Sequence, residues 1–249
     1  MPAEERADGT PAAQEPKEPK KIVVIFPHAD DAEFSCAGSV ARWIAEGNEV
    51  VYVLVTNGDK GSDDPSMTSE QLIATRKAEQ KAACDILGVK DVHFLGHEDA
   101  MLVNSLDLRR DLVRVIRKLK PDAVVTFDPT VRFVGKSYFN HPDHRVTGDV
   151  TLDAVYPAAR DRMTFPELLK EGLEPHKVRE VFLASPKEPD YWVDITDYME
   201  TKLKALRAHA SQIGDWDPSE MLKLWAIEGG RHHDPPVKYA ESFRHFVLD

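Results

Sequence analysis

A single α/β domain is the fold this chain predicts, with a Rossmann-like, mostly parallel sheet and helices on both faces. Three observations predict it. Short, continuously apolar runs rich in β-branched residues alternate with longer segments of helical spacing. Glycine or proline punctuates several of the junctions. The 249 residues are 42% hydrophobic, which lets one such domain bury a sizeable core. Strand, helix, strand repeated in this way means right-handed crossovers and a parallel sheet.

The elements follow in order. Residues 1–20, MPAEERADGTPAAQEPKEPK, hold too little apolar surface to offset the entropy of ordering, so they read as a flexible tail before a domain over 21–249. KIVVIFP (21–27) is a strand covered on both faces. CAGSVARWIAEG (36–47) reads as a helix closed by Gly47, and EVVYVLVT (49–56) as a second buried strand. The turn-rich stretch 56–66 is a loop. A helix over 68–87 stops at Gly88, and DVHFLG (91–96) is a third strand. A strongly periodic helix over 105–120 ends at Pro121, and DAVVTFD (122–128) supplies the fourth strand. A long loop then leads into a helix at about 144–159. Strands at 179–185 and 191–196, and helices at about 197–213 and 218–228, complete the chain.

Composition excludes several function classes. The balance of 32 basic against 43 acidic residues leaves a formal charge of −11, and no Lys/Arg-rich stretch offers a footprint for nucleic acid. No window approaches the length of apolar sequence that a membrane span needs, and the N-terminus has no apolar signal region. Cys36 and Cys84 fall in apolar helical contexts rather than a disulfide framework, which fits a reducing cytoplasm.

The polar residues collect on one rim. In open parallel sheets ligands gather at the carboxyl ends of the strands. His28, Asp30 and Asp31 follow the first strand, Asn57 and Asp59 the second, His97 and Asp99 the third, and Asp128 the fourth. Adjacent carboxylates such as Asp30 and Asp31 are costly unless a positive charge is near, and a metal ion supplies one. A catalytic zinc takes three protein ligands from imidazole and carboxylate and keeps one position open. His28 and Asp31, three apart on a tight strand-to-helix turn, can both point at one ion. HPDHR (141–145) offers His141 and His144 at the same spacing, one to coordinate and the other to remain free. Asp30 is then the candidate general base, and the free histidine, held by an acid such as Asp143, supports an oxyanion. A dinucleotide site fails on detail: no G-x-G-x-x-G follows the first strand, and acidic groups there would repel a pyrophosphate. His93, His209, His232, His233 and His245 read as mainly structural or solvated, with His209 able to line a cleft.

The motifs PHADDAEFSCAG and HPDHR, with ATRKAEQKAACDILGV, VTFDP, YWVDITDYMETKLKALRAHASQ and YAESFR, resemble the LmbE-like, or PIG-L-type, N-acetylglucosaminyl deacetylases, in pattern most like diacetylchitobiose deacetylases. The resemblance implies zinc held by His28, Asp31 and His144, with Asp30 as general base. It also implies His141 as the residue that stabilises the tetrahedral intermediate, oriented by Asp143, and Arg76 and Asp99 as contacts to sugar hydroxyls. The function it implies is removal of an acetyl group from an N-acetylated amino sugar by a homo-oligomer, hexameric or trimeric. The alternatives are an amidase acting on a non-sugar or thiol-conjugate amide, and a non-catalytic sugar binder. Ala29 stands where the family usually has proline, so the turn loses a fixed φ but no functional group.

Overall fold

The first strand, β1 (Lys21–Phe26), has five of its six residues buried. It opens a computed structural model that describes residues 18–249; most of the expected N-terminal tail, residues 1–17, lies outside the described residues. A left-handed residue, Asp30, leads into the short helix α1 (Asp31–Ser35), and the chain re-forms a helix as α2 (Ala37–Ala45). Then come β2 (Glu49–Thr56), α3 (Ser69–Leu87), β3 (Asp91–His97), α4 (Leu106–Leu119) and β4 (Ala123–Phe127). Thr68 and Gln71 close a reciprocal capping box at the start of α3, and Ser105 caps α4.

Beyond β4 the expected loop contains a small hairpin, β5 (Phe133–Val134) paired antiparallel with β6 (Tyr138–Phe139). Helix α5 (Pro142–Asp153) begins two residues earlier than its periodicity indicates, because Pro142 takes the first helical position, where its missing N–H costs nothing. After Asp153 a wider turn, 154–158, replaces the regular helix and contains Pro157. The short α6 (Glu167–Lys170), β7 (Glu180–Ala184), β8 (Tyr191–Asp194), α7 (Met199–Arg207), α8 (Ala210–Ile213), α9 (Ser219–His232) and β9 (Ala240–Val247) follow. The single helix expected over 197–213 is therefore broken, and His209 sits at the break with φ −85° and ψ 53°.

The seven-stranded sheet runs β3-β2-β1-β4-β7-β9-β8. The first five strands are parallel, and β9 is antiparallel to both of its neighbours. β9 was not expected, because Glu241, Ser242, Arg244 and His245 interrupt its apolar pattern. Alternation along the strands feeds two cores. Val24, Phe26, Tyr52 and Leu54 pack under α2, α3, α7 and α9, whereas Val23, Ile25, Val53 and Val55 pack under α4 and α5. The strand order reverses between β1 and β4, so the crevice beyond their carboxyl ends is where such a sheet receives a ligand.

Candidate metal and catalytic centre

Two segments meet over that crevice. The first is the turn after β1. The Asp31 carboxylate folds back so that Oδ2 accepts the His28 amide at 2.8 Å and lies 3.2 Å from His28 Nδ1, while Oδ1 lies 3.1 Å from His144 Nε2. One carboxylate thus spans both imidazoles. Ligand atoms bound at about 2.1 Å around a tetrahedral ion stand roughly 3.4 Å apart, close to these separations.

The second segment is the start of α5. His141 is its N-cap, with Nδ1 accepting the Asp143 amide at 3.2 Å, and His144 lies in the first turn. Helix and sheet approach closely here: a Cβ on Gly148 would stand 2.5 Å from the Phe127 carbonyl oxygen, so only glycine lets α5 settle onto β4. The His144 ring lies against Phe127, with centroids 4.2 Å apart, and its Nδ1 is 3.0 Å from Asn140 Oδ1. With Nδ1–H donating to Asn140, the Nε2 lone pair faces Asp31. The rings of His28, His141 and His144 form a triangle with centroid separations of 4.8, 5.4 and 5.4 Å.

This donor set fits a divalent ion of the zinc type. One ring nitrogen from each of His28, His141 and His144 falls within 4.8 Å of the others, and His28, Asp99 and Asp143 make a second such group. His28 Nε2 is buried and makes no hydrogen bond, although Asp99 at 3.0 Å and Asp143 at 3.4 Å face it. Imidazole and carboxylate are donors that zinc accepts.

The electrostatics follow from burial and proximity. Burial works against the Asp31 charge, but His144 and His28 outweigh it and hold that carboxyl well below the usual range. Burial, then repulsion from Asp31, pushes the Asp30 carboxyl up to about 7, against the pull of Arg76, His209 and His28. Burial would lower the His28 ring, yet Asp31, Asp143 and Asp99 raise it well above its ordinary value. The His141 ring is pushed down by burial and by His28.

All eight candidate site residues are brought to this region, and the setting of Asp143 differs from the one expected. The Asp143 carboxylate does not reach the His141 ring within ion-pair distance. It is fully buried and accepts the amides of Ala100 at 2.7 Å and Leu102 at 3.3 Å while facing His28, because the helix start turns it away from the N-cap ring. Arg76 is also buried, and its guanidinium donates to the carbonyls of Ala29 at 3.0 Å and Lys60 at 3.2 Å. It stands 3.5 Å from Asp99 and 3.9 Å from Asp30, at the floor of the cleft. Gly58 has φ 66°, and its bare Cα lets the Arg76 side chain pass, since a Cβ would meet it at 3.2 Å. Asp59 Oδ1 accepts the Asp99 amide at 3.0 Å, tying the loops after β2 and β3 together. Asn140 was missed as an orienting residue; its signal is an amide side chain four residues before a candidate ligand histidine.

The cleft above the centre has a volume of about 1130 Å³. Trp216, Trp225, Phe133 and Tyr138 are among the residues that line it. Cys36 and Cys84 are free thiols, both buried. Among the described residues no helix is long and apolar enough to cross a membrane.

Comparison with known proteins gives a consistent set. The profile of the family described as "PIG-L: GlcNAc-PI de-N-acetylase" matches residues 23–155. The chain is 36% identical over 206 residues to the diacetylchitobiose deacetylase of Thermococcus kodakarensis, covering 83% of this chain and 73% of that one. It is 27% identical over 253 residues to a 1D-myo-inositol 2-acetamido-2-deoxy-alpha-D-glucopyranoside deacetylase of Actinosynnema mirum, covering 85% and 87%. Among solved structures, the N,N'-diacetylchitobiose deacetylase of Pyrococcus horikoshii in complex with an inhibitor superposes with a TM-score of 0.85 at 35% identity, over 94% of this chain and 86% of that one.

Proposed function

The chain belongs to the PIG-L family, and from that premise we propose that it is a metal-dependent N-deacetylase. In this reading it removes the acetyl group from an N-acetylated amino sugar or a glycoside of one. The observation that carries this reading is the meeting, at one cleft, of the set His28, Asp31 and His144 with a partly buried carboxylate, Asp30, beside it that is not among those ligands. His28, Asp31 and His144 would hold the ion, and zinc suits their donors. A bound zinc ion supplies a Lewis acid that polarises a carbonyl and makes water acidic near neutral pH.

The remaining steps belong to the chain's own groups. Asp30 lines the cleft and accepts the proton of the attacking water as the carbon–oxygen bond forms. His141 lines the same cleft and donates to the developing oxyanion, and proton return to the sugar nitrogen accompanies carbon–nitrogen cleavage, leaving acetate and a free amine. Asp143 and Asp99 face His28 and orient it. Arg76 and Asp99, which both line the cleft, would contact sugar hydroxyls in this reading.

The names of the relatives support an N-acetylglucosamine unit, and the size of the cleft supports a glycoside larger than one sugar ring. The two free thiols agree with a reducing compartment such as the cytoplasm. Exposed apolar side chains at Phe133, Val134, Tyr138 and Phe139 suit burial against another copy of the chain. The test is acetate release by the zinc-loaded protein from N-acetylglucosamine, diacetylchitobiose and a panel of non-sugar N-acetyl amides. Stoichiometric acetate and amine from the sugars is expected; cleavage of non-sugar amides alone would make the protein a different amidase.

A further inference from the structure

We propose that Gln80, Glu33 and His209 form a buried positioning relay that fixes the backbone of Asp30 and so aims its carboxylate. The proposal rests on the reading of Asp30 as the base. Asp30 has φ 86° and ψ −25°, a left-handed conformation that residues with a Cβ adopt sparingly. Its side chain does not cap the helix it precedes. Some other group must therefore hold the turn in place.

That group is Gln80 of α3, whose Oε1 accepts the Asp30 amide at 3.3 Å. Its Nε2 donates to Glu33 Oε1 at 3.2 Å, and Glu33 Oε2 lies 3.2 Å from His209 Nε2. All three residues are completely buried. His209 reaches Glu33 because the helix breaks between α7 and α8 at this residue. The polarity of the chain is dictated from one end. The Asp30 N–H can only donate, so Gln80 must present its oxygen to it and its NH₂ to Glu33. Glu33 then accepts from Gln80 on one oxygen and turns the other towards His209, whose ring meets it as an ion pair.

Stability alone explains this arrangement poorly. Buried ionic groups are often no better than apolar residues of the same shape, and although Glu33 Oε2 and His209 Nε2 face each other at ion-pair distance, neither of these atoms nor His209 Nδ1 makes a well-formed hydrogen bond. Burial opposes the charge on His209, and Glu33 raises its pKa above the ordinary value in spite of that. From the opposite side Arg76 holds the Ala29 carbonyl, so the peptide before Asp30 is gripped at both its oxygen and its nitrogen.

An exchange of the two central residues tests the relay. In Glu33→Gln the new amide either turns its NH₂ towards Gln80, which must then flip and set its own NH₂ against the Asp30 N–H, or keeps its oxygen there and turns its NH₂ to the ring, which costs His209 its charge and its ion pair. In Gln80→Glu two carboxylates oppose each other. The double variant E33Q/Q80E restores all three contacts, since the new glutamate accepts from Asp30 and from the new glutamine, which accepts from His209. Each single variant is expected to lower kcat about 10- to 100-fold, with KM and zinc content within about twofold of wild type. Hydrogen–deuterium exchange of the 26–34 segment should quicken at least about tenfold in the singles, and the double variant should recover rate and protection to within about threefold.

Singles that keep both wild-type rate and protection would overturn the relay, as would a folded double variant no better than the worse single. If a single variant does not fold, the double variant alone decides by the same criteria. If the wild-type protein releases no acetate, the functional reading fails, while the exchange measurement still judges the relay.

Discussion

Residues 28–31 and residues 140–145 bring histidines to the same crevice by opposite means. The first segment is irregular backbone that passes through a left-handed aspartate, and side chains from α3, some fifty residues away, hold it: Gln80 on the Asp30 amide and Arg76 on the Ala29 carbonyl. The second is the opening turn of a helix, set by its own neighbours: Pro142 at the first position, His141 as N-cap and Asn140 against the His144 ring. The difference teaches where each half is vulnerable. Distant substitutions disturb the turn; local ones disturb the helix start.

The largest expected effect treats the two alike. His144→Ala removes a helix ligand and should take bound zinc from about one ion per chain to near none by elemental analysis, and His28→Ala should do the same. A variant of either residue that kept a full complement of zinc would break the symmetry assumed for the two halves. Asp30→Ala separates them. It should retain its ion yet lose about 10²- to 10⁴-fold in kcat, since only the proton acceptor is gone. Full turnover by that variant would leave the first segment with its ligands alone and take the proton transfer away from it.

A smaller effect is expected from Asn140→Ala, which frees the His144 ring without removing it. Zinc affinity should fall about 10- to 100-fold in a competition titration with a chelator, while turnover at saturating zinc stays near wild type. Smallest is Gly148→Ala, where the added methyl meets the Phe127 carbonyl and lifts α5 from β4. Destabilisation of about 1–3 kcal/mol should appear in denaturant unfolding, an effect confined to the helical half.

The legibility of this molecule in its sequence divides along a similar line. β1, β2 and β4 were readable because a strand buried on both faces leaves an unbroken apolar run. The convergence of His28, Asp30, Asp31, His141 and His144 was readable because parallel topology places every strand end on one rim. β9 was not, since Glu241, which is itself buried, together with Ser242 and Arg244 breaks its apolar pattern. Nor were the hairpin over 133–139 or the partners of Asp143 and Arg76, whose residue types gave no hint of their direction. Gln80, Glu33 and His209 are the clearest case. Their contacts span 47 and 176 positions of sequence, and a lone histidine in a helical stretch carries no local sign of the acid it will meet.

The placement of β9 governs the order in which the molecule can be assembled. β7 and β8 are consecutive in the chain but never touch in the sheet, because β9 lies between them. During synthesis β8 therefore has no strand to dock on until residues 240–247 leave the ribosome. The same late segment brings Glu241, which accepts the amides of Gly38 and Ser39 at the head of α2 and pairs with the buried Lys202. A nascent chain stopped short of residue 240 would display an unclosed sheet edge and an uncompensated ammonium group, which marks it as a target for chaperones.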